Sequence, residues 1–223
     1  MIPELVTFDV YTALFDIEGS LTPWVREAVG GADALDFVRR WRRKQMEWLL
    51  ISNALARPRP SFAWVTRRAL DDTLARADRS IADPARASLV AAWNALEPWP
   101  EAAAALQRVK ERGCPIGLLS NGDEAMQRAL LIRLPDVVDH VFSSEHAGRY
   151  KPHPAVYALP TERLRLRASA ILHVAGSPAD VIGAKAAGLQ CAWSNRRGEP
   201  IPDPQHPPDW QTADLSTVPD VIG

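Results

Sequence analysis

Cysteine is scarce: only Cys114 and Cys191 occur in 223 residues, in separate apolar contexts. They lack the paired spacing of a zinc ligand set, and a disulfide framework is not expected. Both thiols read as small buried hydrophobes at the starts of strands. An excess of charge of one sign is also missing, since 26 basic side chains stand against 27 acidic ones, a formal net charge of −1. That balance leaves no electrostatic footprint for nucleic acid or an anionic membrane surface. No apolar run approaches the length of a membrane span. The opening MIPELVTFDV has neither a basic leader nor a signal-like apolar stretch with a cleavage site. The expectation is a cytoplasmic protein whose partner is a small molecule. His140, His146, His153, His173 and His206 have no metal-ligand spacing and read as structural or surface groups.

What the chain does have, after about residue 97, is an alternation of short apolar runs with longer helix-periodic stretches. The spacing predicts helices over 101–111, 123–132, 154–159 and 178–187, with Pro160 interrupting or kinking the third. Strands are predicted over 114–119, 140–143, 170–175 and 190–194, and the run 5–10 joins them as the first. Buried apolar strands alternating with helices indicate an α/β fold, a Rossmann-like parallel sheet with helices on both faces. Residues 17–96 break the rhythm, with helical periodicity at 34–49, 62–74 and 85–96 and proline punctuation between. They read as an inserted all-helical cap, which leaves 1–16 and 97–223 as the core. "GEPIPDPQHPPDW" (198–210) reads as a surface loop, followed by a short closing element at 213–222.

Ligands of open parallel sheets bind at the carboxyl ends of the strands, near the point where strand order reverses. Asp9 ends the first predicted strand, Ser120 and Asn121 the second; Lys151 follows the third, and Ser177 and Asp180 the fourth. An aspartate at the end of an apolar run is costly unless the fold supplies partners. A lysine and several hydroxyls reach the same edge from other segments, which favours chemistry over a turn-capping role.

The order of these segments resembles the haloacid dehalogenase-like hydrolases over nearly the whole chain. Within them, Asp9-x-Tyr11, "WRRKQMEW" (41–48), "LLSNG" (118–122), "KPHPAVY" (151–157) and "WSNRRG" (193–198) are similar to the L-2-haloacid dehalogenase branch. The resemblance implies Asp9 as a nucleophile that forms an ester with substrate carbon. Lys151 would keep it ionised, with Tyr157 orienting the lysine and Asp180 positioning or activating the hydrolytic water. Ser120 and the backbone after Asp9 would hold the substrate carboxylate. Arg42 and Asn121 would cradle the departing halide, which needs hydrogen-bond donors. Tyr11 stands where the superfamily's phosphatases carry a second aspartate, Thr12 follows it, and Ser177 borders water and substrate. Trp48 and Trp24 are candidates for an apolar wall. Dimers are common in the branch, so a homodimer is expected, and no cofactor is. Magnesium would enter only in a phosphatase, disfavoured by Tyr11 and by Gly176 at the position of a metal-binding aspartate.

The chain departs from the branch at Thr12-Ala13, where Gly-Thr is usual, and at Ala175, Ser177 and Ala179 in place of serine, asparagine and an aromatic residue. Hydrolytic opening of a strained small-ring carboxylic acid would use the same nucleophile and stays open. So do a phosphatase with a substituted acid and a non-catalytic binding protein.

Overall fold

The structure is a computed structural model that describes residues 2–31, 33–55, 58–201 and 203–222. The chain enters as strand β1 (Leu5–Phe8), makes a π-helical turn over Val10–Leu14 and passes through the two-residue strand β2 (Phe15–Asp16). Four helices follow: α1 (Ile17–Val29), α2 (Ala34–Ala54), α3 (Phe62–Arg76) and α4 (Asp83–Ala91). The chain returns through β3 (Glu97–Pro98), which pairs antiparallel with β2, so that the helical segment leaves and re-enters at one place. Then come α5 (Ala102–Glu111), β4 (Ile116–Ser120), α6 (Glu124–Leu131), β5 (His140–Ser143), the one-turn α7 (Ser144–Ala147) and α8 (Pro154–Leu164). There follow β6 (Ile171–Ala175), α9 (Pro178–Ala186), β7 (Gln190–Ser194) and β8 (Trp210–Thr212), and a 3-10 turn over Val218–Val221 is the last element.

Six strands form one sheet in the order β5-β4-β1-β6-β7-β8, every pair parallel. Alternate residues of the central strands enter two different cores. Val6, Phe8, Ile116, Leu118, Leu172 and Val174 pack on one side, and Leu5, Leu119, Ile171 and Ala175 on the other. Both faces of the sheet are therefore covered, as near-continuous apolar strands require. Progression to one edge through β4 and β5, then back across β1 to β6, makes β1 the place where strand order reverses. The crevice expected at such a point lies at the carboxyl end of β1.

Several boundaries differ from the sequence reading, each for a local reason. The first strand ends at Phe8 instead of Val10, because the Asp9 carboxylate accepts the Thr12 amide and turns the chain into the π-helix. Cys114 precedes its strand, which starts at Ile116; Cys191 is the second residue of β7, and both are buried. Pro160 does not stop α8, which continues to Leu164. A proline removes one amide donor, and here the ring is buried beside Leu159. The proline-rich loop ends earlier than its composition suggests. The Asp209 carboxylate accepts the Cys191 amide (2.7 Å), which sets Trp210–Thr212 alongside β7 as a sixth strand.

Candidate active site

The backbone amide of Asp9 donates to the Val174 carbonyl (3.0 Å), extending the β1–β6 ladder by one bond and fixing where its side chain emerges. One carboxylate oxygen, Oδ2, accepts from the Thr12 amide (3.0 Å) and the Thr12 hydroxyl (2.7 Å). The other, Oδ1, has among the described residues only the Lys151 ammonium, at 3.4 Å. Asp9 is thus gripped on one side by its own turn and left sparsely coordinated on the other.

Lys151 is buried, and its backbone amide donates to Asn121 Oδ1 at 2.7 Å. Its ammonium lies 2.9 Å and 3.1 Å from the two carboxylate oxygens of Asp180, in the first turn of α9. Tyr157 Oη donates to Asp180 Oδ1 (2.7 Å), and His173 Nε2 lies 3.0 Å from Oδ2. Burial alone would raise the Asp180 pKa, but Lys151 and His173 hold the carboxyl well below the usual carboxylate range. Burial, and then the neighbouring Asp180 carboxylate, push the Tyr157 phenol far up, so it is a donor at any ordinary pH.

α2 covers the crevice. Arg42, one turn before Met46, lies near the mouth with its guanidinium 5.8 Å from the centre of the Trp93 ring and hydrogen-bonded to Gln45. Burial lowers its pKa while the Asp9 carboxylate opposes that shift. Tyr11 stacks on Phe62 with ring centres 5.0 Å apart. Its hydroxyl, kept neutral by burial and then by Asp123, has no hydrogen-bond partner among the described residues. A Cβ at position 122 would lie 2.4 Å from that hydroxyl, so this close approach needs Gly122. The helices are tied to the sheet edge by reciprocal bonds between Asn53 and the Tyr150 backbone (2.7 and 2.8 Å). Tyr150 Oη donates to the Pro60 carbonyl (2.7 Å). The Asp123 carboxylate accepts Arg59 and the first amides of α3. What remains between them is a cavity of about 20 Å³ lined by Asp9, Tyr11, Thr12, Arg42, Asn121, Lys151, Ser177 and Asp180, with Met46, Pro152 and Ala179 completing the wall.

Not every expected residue lies there. Ser120 is fully buried at the end of β4, its hydroxyl without a partner among the described residues, and is not part of the cavity wall. Tyr157 sits behind Asp180. Trp48 is turned away on α2: its indole donates to Asp72 (2.8 Å) and stands edge-on to Trp64. Trp24 is exposed on α1. Arg42 and Met46, four residues apart, share the face of α2 that lines the cavity, and position 48 falls on the side facing α3. Sequence reasoning missed His173, set aside for lack of metal-ligand spacing, although it is fully buried and touches both Asp180 and Lys151.

A divalent cation here would need several converging hard oxygens. The residues present do not fit one. The Lys151 ammonium already occupies the gap between the two carboxylates. A Cβ at Gly176 would lie 2.4 Å from backbone atoms of Thr12 and Ala13, leaving no room for a further acidic side chain. Among the described residues no group of three or more His, Cys, Asp or Glu could hold a metal ion.

The model of the haloacid dehalogenase-like hydrolases matches residues 10–188. The (S)-2-haloacid dehalogenase of Xanthobacter autotrophicus is 34% identical over 193 residues, 85% of this chain and 74% of that protein. That of Pseudomonas sp. (strain YL) is 31% identical over 215 residues, 96% and 91% of the two chains. A solved structure of the Xanthobacter autotrophicus L-2-haloacid dehalogenase with chloropropionic acid covalently bound superposes with a TM-score of 0.88 at 28% identity, covering 100% of this chain and 98% of that one.

Proposed function

Because this chain belongs to the haloacid dehalogenase-like hydrolase family, we propose that it hydrolyses small 2-haloalkanoic acids through an ester on Asp9. The observation that carries this reading is the asymmetric grip on Asp9, with Oδ2 committed to Thr12 and Oδ1 touched only by a lysine at 3.4 Å. Oδ1 attacks the carbon bearing the halogen, the carbon–halogen bond breaks, and halide leaves with the bonding pair. Arg42 and the side chain of Asn121 stabilise the developing anion, while the amides after Asp9 hold the substrate carboxylate; Ser120, buried behind the cavity wall, is left out of that contact. Water then attacks the ester carbonyl carbon of Asp9. The bond from that carbon to the alkyl oxygen breaks, and the 2-hydroxy acid departs carrying one proton. The second proton goes to solvent and the Asp9 carboxylate is restored. Asp180, held low in pKa, positions that water and serves as the counter-ion of Lys151. Tyr11, Thr12 and Ser177 border the substrate, and Tyr157 orients Asp180 and Lys151. No cofactor takes part.

A cavity of about 20 Å³ has room for a single water. A haloacid enters only when the roof lifts, so residues 17–96 act as a cap on a core of 1–16 and 97–223, hinged at the β2–β3 pair. The setting is cytoplasmic; no helix among the described residues is long and apolar enough to cross a membrane. Exposed Trp24, Leu50 and Trp64 on the helical segment support a homodimer, measurable by light scattering.

The test is incubation with L-2-chloropropionate, bromoacetate and fluoroacetate in the presence of EDTA, following halide and the intact mass of the protein. Halide release with a transient adduct on Asp9 is expected. No halide and no adduct would overturn the reading and direct the search to strained-ring acids. Activity towards phosphate esters that is lost in EDTA would make it a phosphatase.

A further inference from the structure

His173 is the third residue of β6 and pairs in register with Thr7 of β1. Both side chains lie on the face of the sheet that carries Leu5, Ile171 and Ala175. Thr7 Oγ1 is 2.9 Å from Nδ1 of the imidazole, and Nε2 is 3.0 Å from Asp180 Oδ2 and 3.3 Å from Lys151 Nζ. The edge of the Tyr157 ring closes the remaining side, and Cys191 is the neighbour across β7. The next side chain on this face, Ala175, has no polar atom, so β6 reaches the carboxylates through His173.

The hydrogen-bond network assigns the roles of the ring nitrogens. If Nε2 carries hydrogen, it donates to Asp180 at 3.0 Å while Thr7 donates to Nδ1, and the longer 3.3 Å approach of the Lys151 ammonium, itself a donor, is a packing contact. The opposite tautomer would let Nε2 accept from Lys151, but it would turn a lone pair onto the Asp180 carboxylate at the shorter distance and take the Nδ1 acceptor from the Thr7 hydroxyl hydrogen. A fully buried imidazole braced from behind by a threonine, with its free N–H aimed at one oxygen, fixes the plane of that carboxylate. Among the described residues no imidazole reaches Asp9, which Thr12 holds independently.

We infer that His173, braced by Thr7, is a positioning residue for hydrolysis of the ester and not for its formation. The inference rests on the ester mechanism proposed above. It acts through Asp180: without the Nε2 hydrogen bond, Asp180 retains Lys151 and Tyr157 but loses its fixed orientation, and the attacking water loses its placement. Misplacement of this kind costs about tenfold to a hundredfold.

The test compares single-turnover halide release with steady-state turnover and with the ester adduct seen by intact mass. In His173→Phe the first-turnover halide rate should stay within about fivefold of the unaltered enzyme, while steady-state turnover falls by about tenfold to a hundredfold and adduct accumulates. His173→Gln, whose amide can reach Asp180, should recover most of that loss, a rescue that a purely space-filling role would not give. Thr7→Val should lower steady-state turnover by a smaller factor with the same accumulation, and it carries the test together with His173→Gln if the phenylalanine variant does not fold. Equal slowing of both half-reactions, absence of accumulation, or no rescue by glutamine would overturn the inference. Absence of any adduct in the unaltered enzyme would overturn the ester mechanism itself and this inference with it.

Discussion

Asp9 and Asp180 face each other across one ammonium group, both buried, yet they are partnered in opposite ways. Asp180 receives Lys151, Tyr157 and His173, the closest of these at 2.7 Å, so that both of its oxygens are anchored. Asp9 is held from behind by the Thr12 amide and hydroxyl, and its forward oxygen meets the lysine only at 3.4 Å. A carboxylate anchored on both oxygens is a weak nucleophile and a good counter-ion, whereas one held on a single oxygen keeps an electron pair available for attack. A single buried cation can therefore serve two acids unequally, and it is this inequality that the proposed role of Asp9 as nucleophile uses.

The comparison breaks most completely at Asp9, the proposed nucleophile. Asp9→Asn should lower halide release by at least about ten-thousandfold, with no ester adduct by mass. Lys151→Met removes the cation both acids share and leaves two buried carboxylates unpaired. Turnover should be lost, and urea denaturation should show destabilisation of about 3–5 kcal/mol. Arg42→Ala leaves both acids intact and removes a donor from the leaving group, so haloacid turnover should fall about a hundredfold with little change in urea midpoint.

Asp180→Asn sharpens the comparison through acid stability. Because the folded Asp180 carboxyl lies below its unfolded value, its stabilising contribution is complete above about pH 4 and is lost as pH falls towards the folded value. The asparagine variant should lose stability less steeply below about pH 4 in acid titrations monitored by circular dichroism. The smallest effect belongs outside the site. Trp48→Phe, which removes the bond to Asp72, should change turnover by less than about twofold while costing about 1 kcal/mol of stability.

The parallel sheet was legible because five of its six strands are largely apolar runs that end in a polar residue or meet one within two positions, and such ends fall together once the strands are parallel. β8 was hidden by its short length and the prolines before it. The two-residue strands β2 and β3 have too few residues for any periodicity. The π-turn after Phe8 depends on a side-chain bond from Asp9 that no spacing rule registers. Asp9, Lys151 and Asp180 drew attention because a charge beside an apolar run is conspicuous. His173 lies within such a run, where a lone imidazole reads as core; only the register of β6 against β1 brings it to Thr7 and its position to Asp180. Trp48 shows the reverse, a conspicuous residue whose place on the helix turns it towards α3.

The central position of β1 also bears on how the protein is made. Its partners arrive late: Val6 pairs with Ile116, and Thr7 meets His173, 166 residues further on. Closing such long intervals makes for slow folding. At synthesis rates of about 5–20 residues per second, β1 has no partner strand for on the order of ten seconds after it is made. Throughout that time Leu5–Phe8, every residue of which is buried in the finished molecule, is an unpaired apolar edge open to association with other chains. The arrangement that puts Asp9 at the centre of the sheet thus makes soluble yield depend on growth temperature and chaperone supply, both of which act before the crevice has formed.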